Sequence, residues 1–388
     1  MFSGRLPAHL EANAFTVALA DLRRKGVALV DLTVSNPTQV ELPYPADLLA
    51  PLADAAALSY EPAPFGLASA RKAIAVEMSK AGIKVSPDRV VLTSSTSEAY
   101  SVLFKLLCNP GDCVLVPQPS YPLFELLTRL DGVEPVAYQQ EHHAAWSIDR
   151  ESMKGACGPH TRAVLVVSPN NPTGSMLRAD DRDFLVEYAE AGGYAIISDE
   201  VFAGYPIVPR PDAVSMLGES RVLTFTLGGL SKYAGLPQLK LGWMVVSGPD
   251  DIVADAMDRL ELICDTYLSV STPVQVAASQ LIASGKGVRD AIRQRVQQNY
   301  RELVHLAQAS PSVRVIEPEG GWSVVIEVPE TVGEEALVRR ILDEEHVVVH
   351  PGYFFDIQQG AHIVVSLLPE PDVFADAITR VLDQVAAS

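Results

Sequence analysis

The chain is poor in cysteine, short of positive charge and free of long apolar runs. Its four cysteines, Cys108, Cys113, Cys157 and Cys264, form no CxxC pair and no Cys/His cluster of zinc spacing. That argues against a disulfide framework and gives no metal site to expect. Reduced thiols in a cytoplasmic protein are the expectation. No run of 18 apolar residues occurs, and the N-terminal MFSGRLPAHLEANAF lacks the apolar core of a signal sequence, so a soluble protein with no membrane partner is expected. Lys and Arg number 30 against 48 Asp and Glu, a formal net charge of −18 that repels a phosphate backbone and argues against nucleic acid as a partner. A small molecule is the better candidate, because the field inside a cleft can oppose the global sign.

At 388 residues, 48% of them hydrophobic, the chain has material for more than one core. There is no internal repeat. Short apolar runs such as RVVLT (89–93), AVLVV (163–167) and YAIIS (194–198) alternate with helical patterns, which favours α/β architecture with a mainly parallel sheet flanked by helices. Residues 45–58 read as helix after a proline-rich entry. A long helical stretch from Thr272 to about Ala309 carries Gly285 and Gly287, expected to break it. Beyond it strands and helices mix, so a smaller C-terminal α+β domain is expected. The division proposed is an N-terminal arm over 1–44 joined to the small domain, a large domain over 45–280 and a small domain over 281–388.

Four groups of polar residues fall at strand ends or just after them, where open α/β sheets bind ligands. Ser95, Thr96 and Ser97 follow RVVLT and open a helix. They read alone as helix capping, but a helix N-terminus lined with hydroxyls also cradles phosphate. Ser168 to Gly174 (SPNNPTG) follows AVLVV; a turn explains the proline and glycine, while Asn171 leaves an amide at the ligand edge. Asp199 ends YAIIS, as a cap or as the partner of a protonated ring nitrogen. Lys232 closes Gly228-Gly229-Leu230-Ser231-Lys232. A lone lysine is usually a solvated charge, but one on a glycine-rich turn after a strand is placed to be a nucleophile.

In that order the four groups resemble a fold-type-I pyridoxal-phosphate enzyme of the class I/II aminotransferase family, over essentially the whole chain. The matching strings are YEPAPFGLASARKAIA (60–75), TSSTSEA (93–99), PSYPLF (119–124), SPNNPTG (168–174), SDEVF (198–202) and GGLSKYAGLPQLKLGW (228–243). The resemblance implies that pyridoxal 5'-phosphate is held as a Schiff base on Lys232, which then shuttles the α-proton. It implies that Asp199 pairs with the ring N–H, Asn171 bonds the ring 3-oxygen and Tyr121 stacks on the ring. Ser95, Thr96, Ser97, Ser231 and Lys240 would complete the cofactor set around the phosphate. Tyr60 matches a tyrosine that reaches the neighbouring subunit's phosphate, implying a homodimer with shared active sites. Asn36, in Ser35-Asn36-Pro37, resembles an arm position near substrate.

The chain departs from that family at four places. Phe202 stands where a tyrosine usually bonds the 3-oxygen, Gly229 where a Ser or Thr binds phosphate, and Lys240 where an arginine does, losing the two-pronged geometry. The fourth is the arginine that clamps the substrate's α-carboxylate, whose place in HIVVSLL falls on Val364; no Arg or Lys lies between Arg340 and Arg380, both of which read as helix-face residues. The segment instead offers His350, Pro351, Gly352, Tyr353, Phe354 and Phe355, of which His350 and Tyr353 are candidate substrate contacts. Arg5, on an arm that in this family can fold over the cleft, is a further candidate cation. The resemblance implies ping-pong transfer of an amino group from an amino acid or amine to a 2-oxo acid. Another pyridoxal-phosphate reaction, C–S β-elimination or decarboxylation, is the alternative, since it uses the same cofactor residues. A non-catalytic sensor domain fits poorly, because the N-terminus lacks the length and basic charge of a DNA-binding segment.

Overall fold

The computed structural model describes residues 3–7 and 11–387; of the arm expected over 1–44, residues 1–2 and 8–10 lie outside it. Eight strands form the large sheet in the order Val90–Thr93, Gly242–Ser247, Thr224–Gly229, Ala195–Asp199, Thr161–Val167, Cys113–Gln118, Glu134–His142 and Trp146–Ile148. Gly242–Ser247 runs antiparallel to both its neighbours and Trp146–Ile148 antiparallel to the one it pairs with; the other pairs are parallel. The inner strands are apolar on both faces because both are covered. Ala163, Leu165 and Ile197 face a core shared with the helices Thr96–Leu107 and Asp250–Tyr267, whereas Val164, Val166 and Ile196 face one built with Ala179–Gly192.

The smaller C-terminal sheet is antiparallel, ordered Arg314–Ile316, Ser323–Val328, Ala361–Ser366 and His350–Pro351. Val324, Ile326, Ile363 and Val365 face the main core with the helix Pro371–Ala386, which presents Phe374, Ile378, Val381 and Val385 at helical spacing. Val325 and Val364 face the other way, toward Phe355 and Ile357. The arm is tied to this region by parallel pairing of Val30–Asp31 with Val347–Val348.

Two expectations fail locally. Residues 45–58 hold two short 3₁₀ turns, Ala50–Ala53 and Ala55–Leu58, in place of an α-helix. Asp54 is extended between them and caps the second turn, its side chain accepting from Ala56 N–H, so no helix runs through the segment. Gly285 and Gly287 break nothing, for one helix runs unbroken from Thr272 to Ala307. It buries Val274, Ala278, Leu281, Ile282, Gly285, Val288, Ile292, Val296 and Leu303 along one stripe. Gly285 is there for contact. A Cβ on it would run into the Cβ of Ala234, two residues past Lys232. Farther along, Asn299 Nδ2 donates to the carbonyls of Leu367 (2.9 Å) and Pro369 (2.8 Å), and Arg295 donates to that of Val40 at 2.7 Å. One helix therefore braces the lysine turn, the arm and the small sheet.

The two glycines should respond in opposite directions to alanine. Gly287 is exposed with nothing within 4 Å of an added Cβ, so Gly287→Ala should stabilise by about 0.5–1 kcal/mol through helix propensity. Gly285→Ala gains the same propensity but must push apart two packed segments, costing about 1–3 kcal/mol, so the net effect should be destabilising. Thermal unfolding of both variants beside the parent checks the sign.

Candidate active site

The parallel strands all deliver their C-terminal ends to one edge of the sheet. Thr93 and Gly229 are both register partners of Gly242, which places Ser95–Ser97, Ser231-Lys232 and Lys240 beside one another. Asp199 pairs with Leu227 on one side and Val167 on the other, so the carboxylate lies between the lysine turn and the Asn171 loop.

Asp199 is buried. Its Oδ2 accepts from the Tyr100 hydroxyl at 2.7 Å and its Oδ1 from the Val201 N–H at 3.1 Å. Burial pushes its pKa above the usual carboxylate range, against the pull of those donors and of the Lys232 charge. Among the described residues no Arg, Lys or His lies within ion-pair distance of it. A cationic N–H arriving from the cleft is the partner this carboxylate lacks.

Lys232 Nζ lies 4.7 Å from the centroid of Trp322, 5.5 Å from that of Phe202 and 3.5 Å from the carbonyl oxygen of Ser35. Burial pulls its pKa down to about 8, with the charge of Asp199 opposing. The turn carrying it is pinned by the Tyr205 hydroxyl, which donates to the Lys232 carbonyl, and Tyr205 and Phe202 both pack edge-on against Trp322. At Gly229 a Cβ would lie 3.2 Å from the Leu241 carbonyl and 3.3 Å from Gly242 Cα, so the neighbouring strand leaves little room for a hydroxyl-bearing side chain.

The other expected residues are distributed as follows. Ser95 caps the helix Thr96–Leu107 by accepting from Glu98 N–H, which leaves the amides of Thr96 and Ser97 in the unpartnered first turn. Lys240 is exposed in a left-handed conformation (φ 50°) after the turn Pro237–Leu239. Asn170 is structural, bonding Pro119 and Thr173, whereas Asn171 faces the small sheet and accepts from Ser323 Oγ at 3.4 Å. Tyr121 is 42% exposed at the mouth, its ring edge-on to Phe124, which meets Tyr100 the same way. Asn36 follows Ser35 and uses its side-chain oxygen to cap Thr38. His350 and Tyr353 lie on the aromatic segment, held against Ser120 by the bond from Ser120 N–H to the Phe355 carbonyl.

Tyr60 is 70% exposed and lines a small cleft with Glu98 and Tyr267. Arg5 donates to the Leu130 carbonyl at 3.1 Å, at the far end of the helix Leu123–Leu130, roughly 10 Å of helical rise from its first residue. The structure does not bring it to the amine.

Two contributors went unread in the sequence. Tyr100 is one polar tip on an otherwise apolar helix face, and Trp322 follows a Gly-Gly pair that reads as a plain turn. Both acquire their roles through contacts that are distant along the chain. The arrangement as a whole offers a carboxylate for a ring nitrogen, an amine for a carbonyl carbon and a helix N-terminus for an anion, side by side.

Comparison with known proteins bears on the family and the fold. Residues 30–373 match the family described as aminotransferase class I and II. The chain is 25% identical to the glutamate-pyruvate aminotransferase AlaA of Haemophilus influenzae, covering 97% of this chain and 93% of that one. It is 25% identical to an alanine aminotransferase of Mycobacterium bovis, over 93% of this chain and 86% of the relative. Among solved structures, an alanine aminotransferase from Pyrococcus furiosus superposes with a TM-score of 0.88 at 23% identity, covering both chains fully. A double mutant of the aspartate aminotransferase from Thermus thermophilus superposes with a TM-score of 0.85 at 22% identity, over 99% of each chain.

The Lys232 environment makes a prediction about the free protein. An amine with a pKa near 8 carries a free-base fraction at neutral pH roughly two to three orders of magnitude above that of an ordinary lysine. The free base is the nucleophile, so reactivity should rise with pH and level off above about 8. Reductive methylation with formaldehyde, followed by peptide mass spectrometry, should show Lys232 modified first and with that midpoint. A midpoint shared with the surface lysines would contradict it.

Proposed function

The chain belongs to the aminotransferase class I and II family, and from that premise we propose that it works with pyridoxal 5'-phosphate held by the Lys232 amine. It transfers an amino group from an amino acid to a 2-oxo acid. The relatives' names favour that transfer over the C–S lyase or decarboxylase alternative. The observation that carries the cofactor assignment is the buried Asp199 carboxylate, which has two neutral donors and, among the described residues, no cation within ion-pair distance, one strand away from a lysine whose burial favours its nucleophilic form.

Bound pyridoxal phosphate supplies a carbonyl carbon that accepts the amino group and a ring that takes up the electron pair left at the substrate's α-carbon. Asp199 would keep the ring nitrogen protonated, with Tyr100 fixing the orientation of its carboxylate. Asn171, its oxygen turned to Ser323, has its amide N–H₂ free to donate to the ring oxygen. Ser95, Thr96, Ser97, Ser231 and Lys240 would hold the phosphate, and Tyr121 would cover one ring face. Lys232 Nζ, released when the amino substrate takes its place, would move the proton at the α-carbon. Trp322 and Phe202 would keep water from that amine.

A homodimer follows from the same reading. Leu58 (90% exposed), Tyr60 (70%), Leu262 (74%) and Tyr267 (56%) are large apolar side chains left in solvent, and Tyr60 and Tyr267 line one small cleft. On this reading Tyr60 serves the neighbouring subunit's phosphate. The division into an arm (1–44), a large domain (45–280) and a small domain (281–388) places its second boundary inside the helix Thr272–Ala307, which serves both. Among the described residues no helix is long and apolar enough to cross a membrane. With four free cysteines, a cytoplasmic setting is the natural one.

Adding L-alanine or L-glutamate to the cofactor-loaded protein should shift the cofactor absorbance and release the matching 2-oxo acid in stoichiometric amount. Release of ammonia or CO₂ instead would reject transfer. Lys232→Ala should abolish turnover, and Asp199→Ala should lower kcat by about 10²- to 10³-fold while the thermal transition is kept. A borohydride-reducible adduct persisting in Lys232→Ala would overturn the lysine assignment.

A further inference from the structure

An amino acid and a 2-oxo acid each bring a carboxylate beside the reacting carbon, and a carboxylate moved out of water needs a cation or several donors. The described cations that could serve are committed elsewhere. Arg340 donates to the Gln384 carbonyl at 2.9 Å and Arg380 to that of Glu345 at 2.6 Å, both at the packing of the last helix. Arg5 is on the Leu130 carbonyl, and Lys240 belongs to the phosphate end of the site. We propose that His350 receives the substrate carboxylate, on the wall where Val364 leaves no charge. This rests on the aminotransferase reading and names the residue through which that site selects carboxylate-bearing substrates.

The placement follows from strand register. His350 is the antiparallel partner of Val364, so their side chains share one face of the small sheet. Ser366 and Ser323, a register pair, lie on that face too, because alternate residues of a strand point the same way. Ser323 Oγ donates to Asn171 Oδ1, which turns this face toward the edge of the large sheet. The His350 ring is flanked by Phe354 and Phe355, each with its centroid 5.6 Å away, and Phe355 is joined through its carbonyl to Ser120 N–H beside Tyr121. Nδ1 of His350 is sealed from solvent with no hydrogen-bond partner among the described residues, and the carboxylate would meet the other ring nitrogen, Nε2.

Charge completes the case. Burial holds the His350 pKa below the ordinary histidine value, and the charged group facing it is Asp31 of the arm strand, which pulls the other way. The flanking Phe354 and Phe355 carry no charge, so the ring is neutral at pH 7.5 before substrate arrives. A carboxylate at Nε2 favours the charged form, and binding should therefore draw in a proton. The result is a charge-assisted contact that exists only while a carboxylate is bound.

The test compares L-alanine with ethylamine, the same skeleton without the carboxylate, as amino donors to the cofactor-loaded protein in single-turnover reactions. In His350→Ala the preference for L-alanine over ethylamine should fall about 10- to 100-fold, through KM rather than kcat. A general structural fault slows both donors alike, and an unchanged preference overturns the proposal. A second measurement does not depend on turnover. Calorimetric titration of the loaded protein with propionate, repeated in buffers of different ionisation enthalpy, should show proton uptake on binding, and His350→Gln should abolish that uptake. Propionate binding with equal affinity and no proton uptake in both proteins overturns the proposal. Failure of every amino acid to react with the parent protein would instead refute the aminotransferase reading, and the propionate titration would still decide the role of His350.

Discussion

The whole site is organised around a buried carboxylate that, among the described residues, has no cation within ion-pair distance. Removing the Asp199 carboxylate from water costs several kcal/mol, and a hydroxyl and one backbone N–H offset only part of that. The hydroxyl comes from Tyr100, one turn along the helix whose first residues are Thr96 and Ser97. The helix that satisfies the carboxylate is therefore also the helix whose first turn is proposed to hold the phosphate. The separation between a place for a ring nitrogen and a place for a phosphate is set by one helical turn packed on a sheet, both rigid. Phe124 and Tyr121 extend the same contact outward, ring against ring, so the side chain at the mouth is aligned by the group that holds the carboxylate.

The lysine is governed by the opposite constraint, a positive charge held against aromatic faces. Phe202 and Trp322 withdraw its amine from water, and their π faces return part of the lost solvation. Desolvation still wins, since the pKa falls to about 8. Phe202 thus has a use where the family usually has a tyrosine, because a ring without a hydroxyl packs edge-on against Trp322 and dries the amine. Tyr205 does not replace the missing hydroxyl at the cleft, since its own is bonded to the Lys232 carbonyl. Gly229 likewise answers to packing, with a neighbouring strand too close for a larger residue.

Much of this could be read in the sequence because the chemistry is written locally. Ser95–Ser97, Asn171, Asp199 and Lys232 each sit at the end of a short apolar strand, and a parallel sheet brings such ends together whatever the loops do. What could not be read depends on partners far along the chain. Gly285 looks like a helix breaker until Ala234 is placed against it. Glu134–His142 escapes a pattern search because most of it is only half-buried near the sheet margin, so its polar residues mask the strand. Tyr100 and Trp322 carry no local mark at all, their roles being fixed by Asp199 and Lys232 at separations of about a hundred residues.

The acidity of the chain bears on how such a site can select its ligands. A formal charge of −18 repels an anionic substrate at long range, yet at physiological salt that field is screened within about 8 Å. Recognition must then come from groups in contact with the ligand, and the groups proposed for it are amides at a helix end, a lysine amine and an imidazole, each partly shielded by packed residues. An arginine is charged whether or not substrate is present. On the proposed reading, a half-buried histidine that charges only when a carboxylate arrives would add no cation to the empty cleft, so the lysine amine would feel none that lowers its pKa further. Aromatic packing and a titratable clamp are in this sense one solution. Both would avoid adding a permanent cation beside the lysine amine before a ligand arrives.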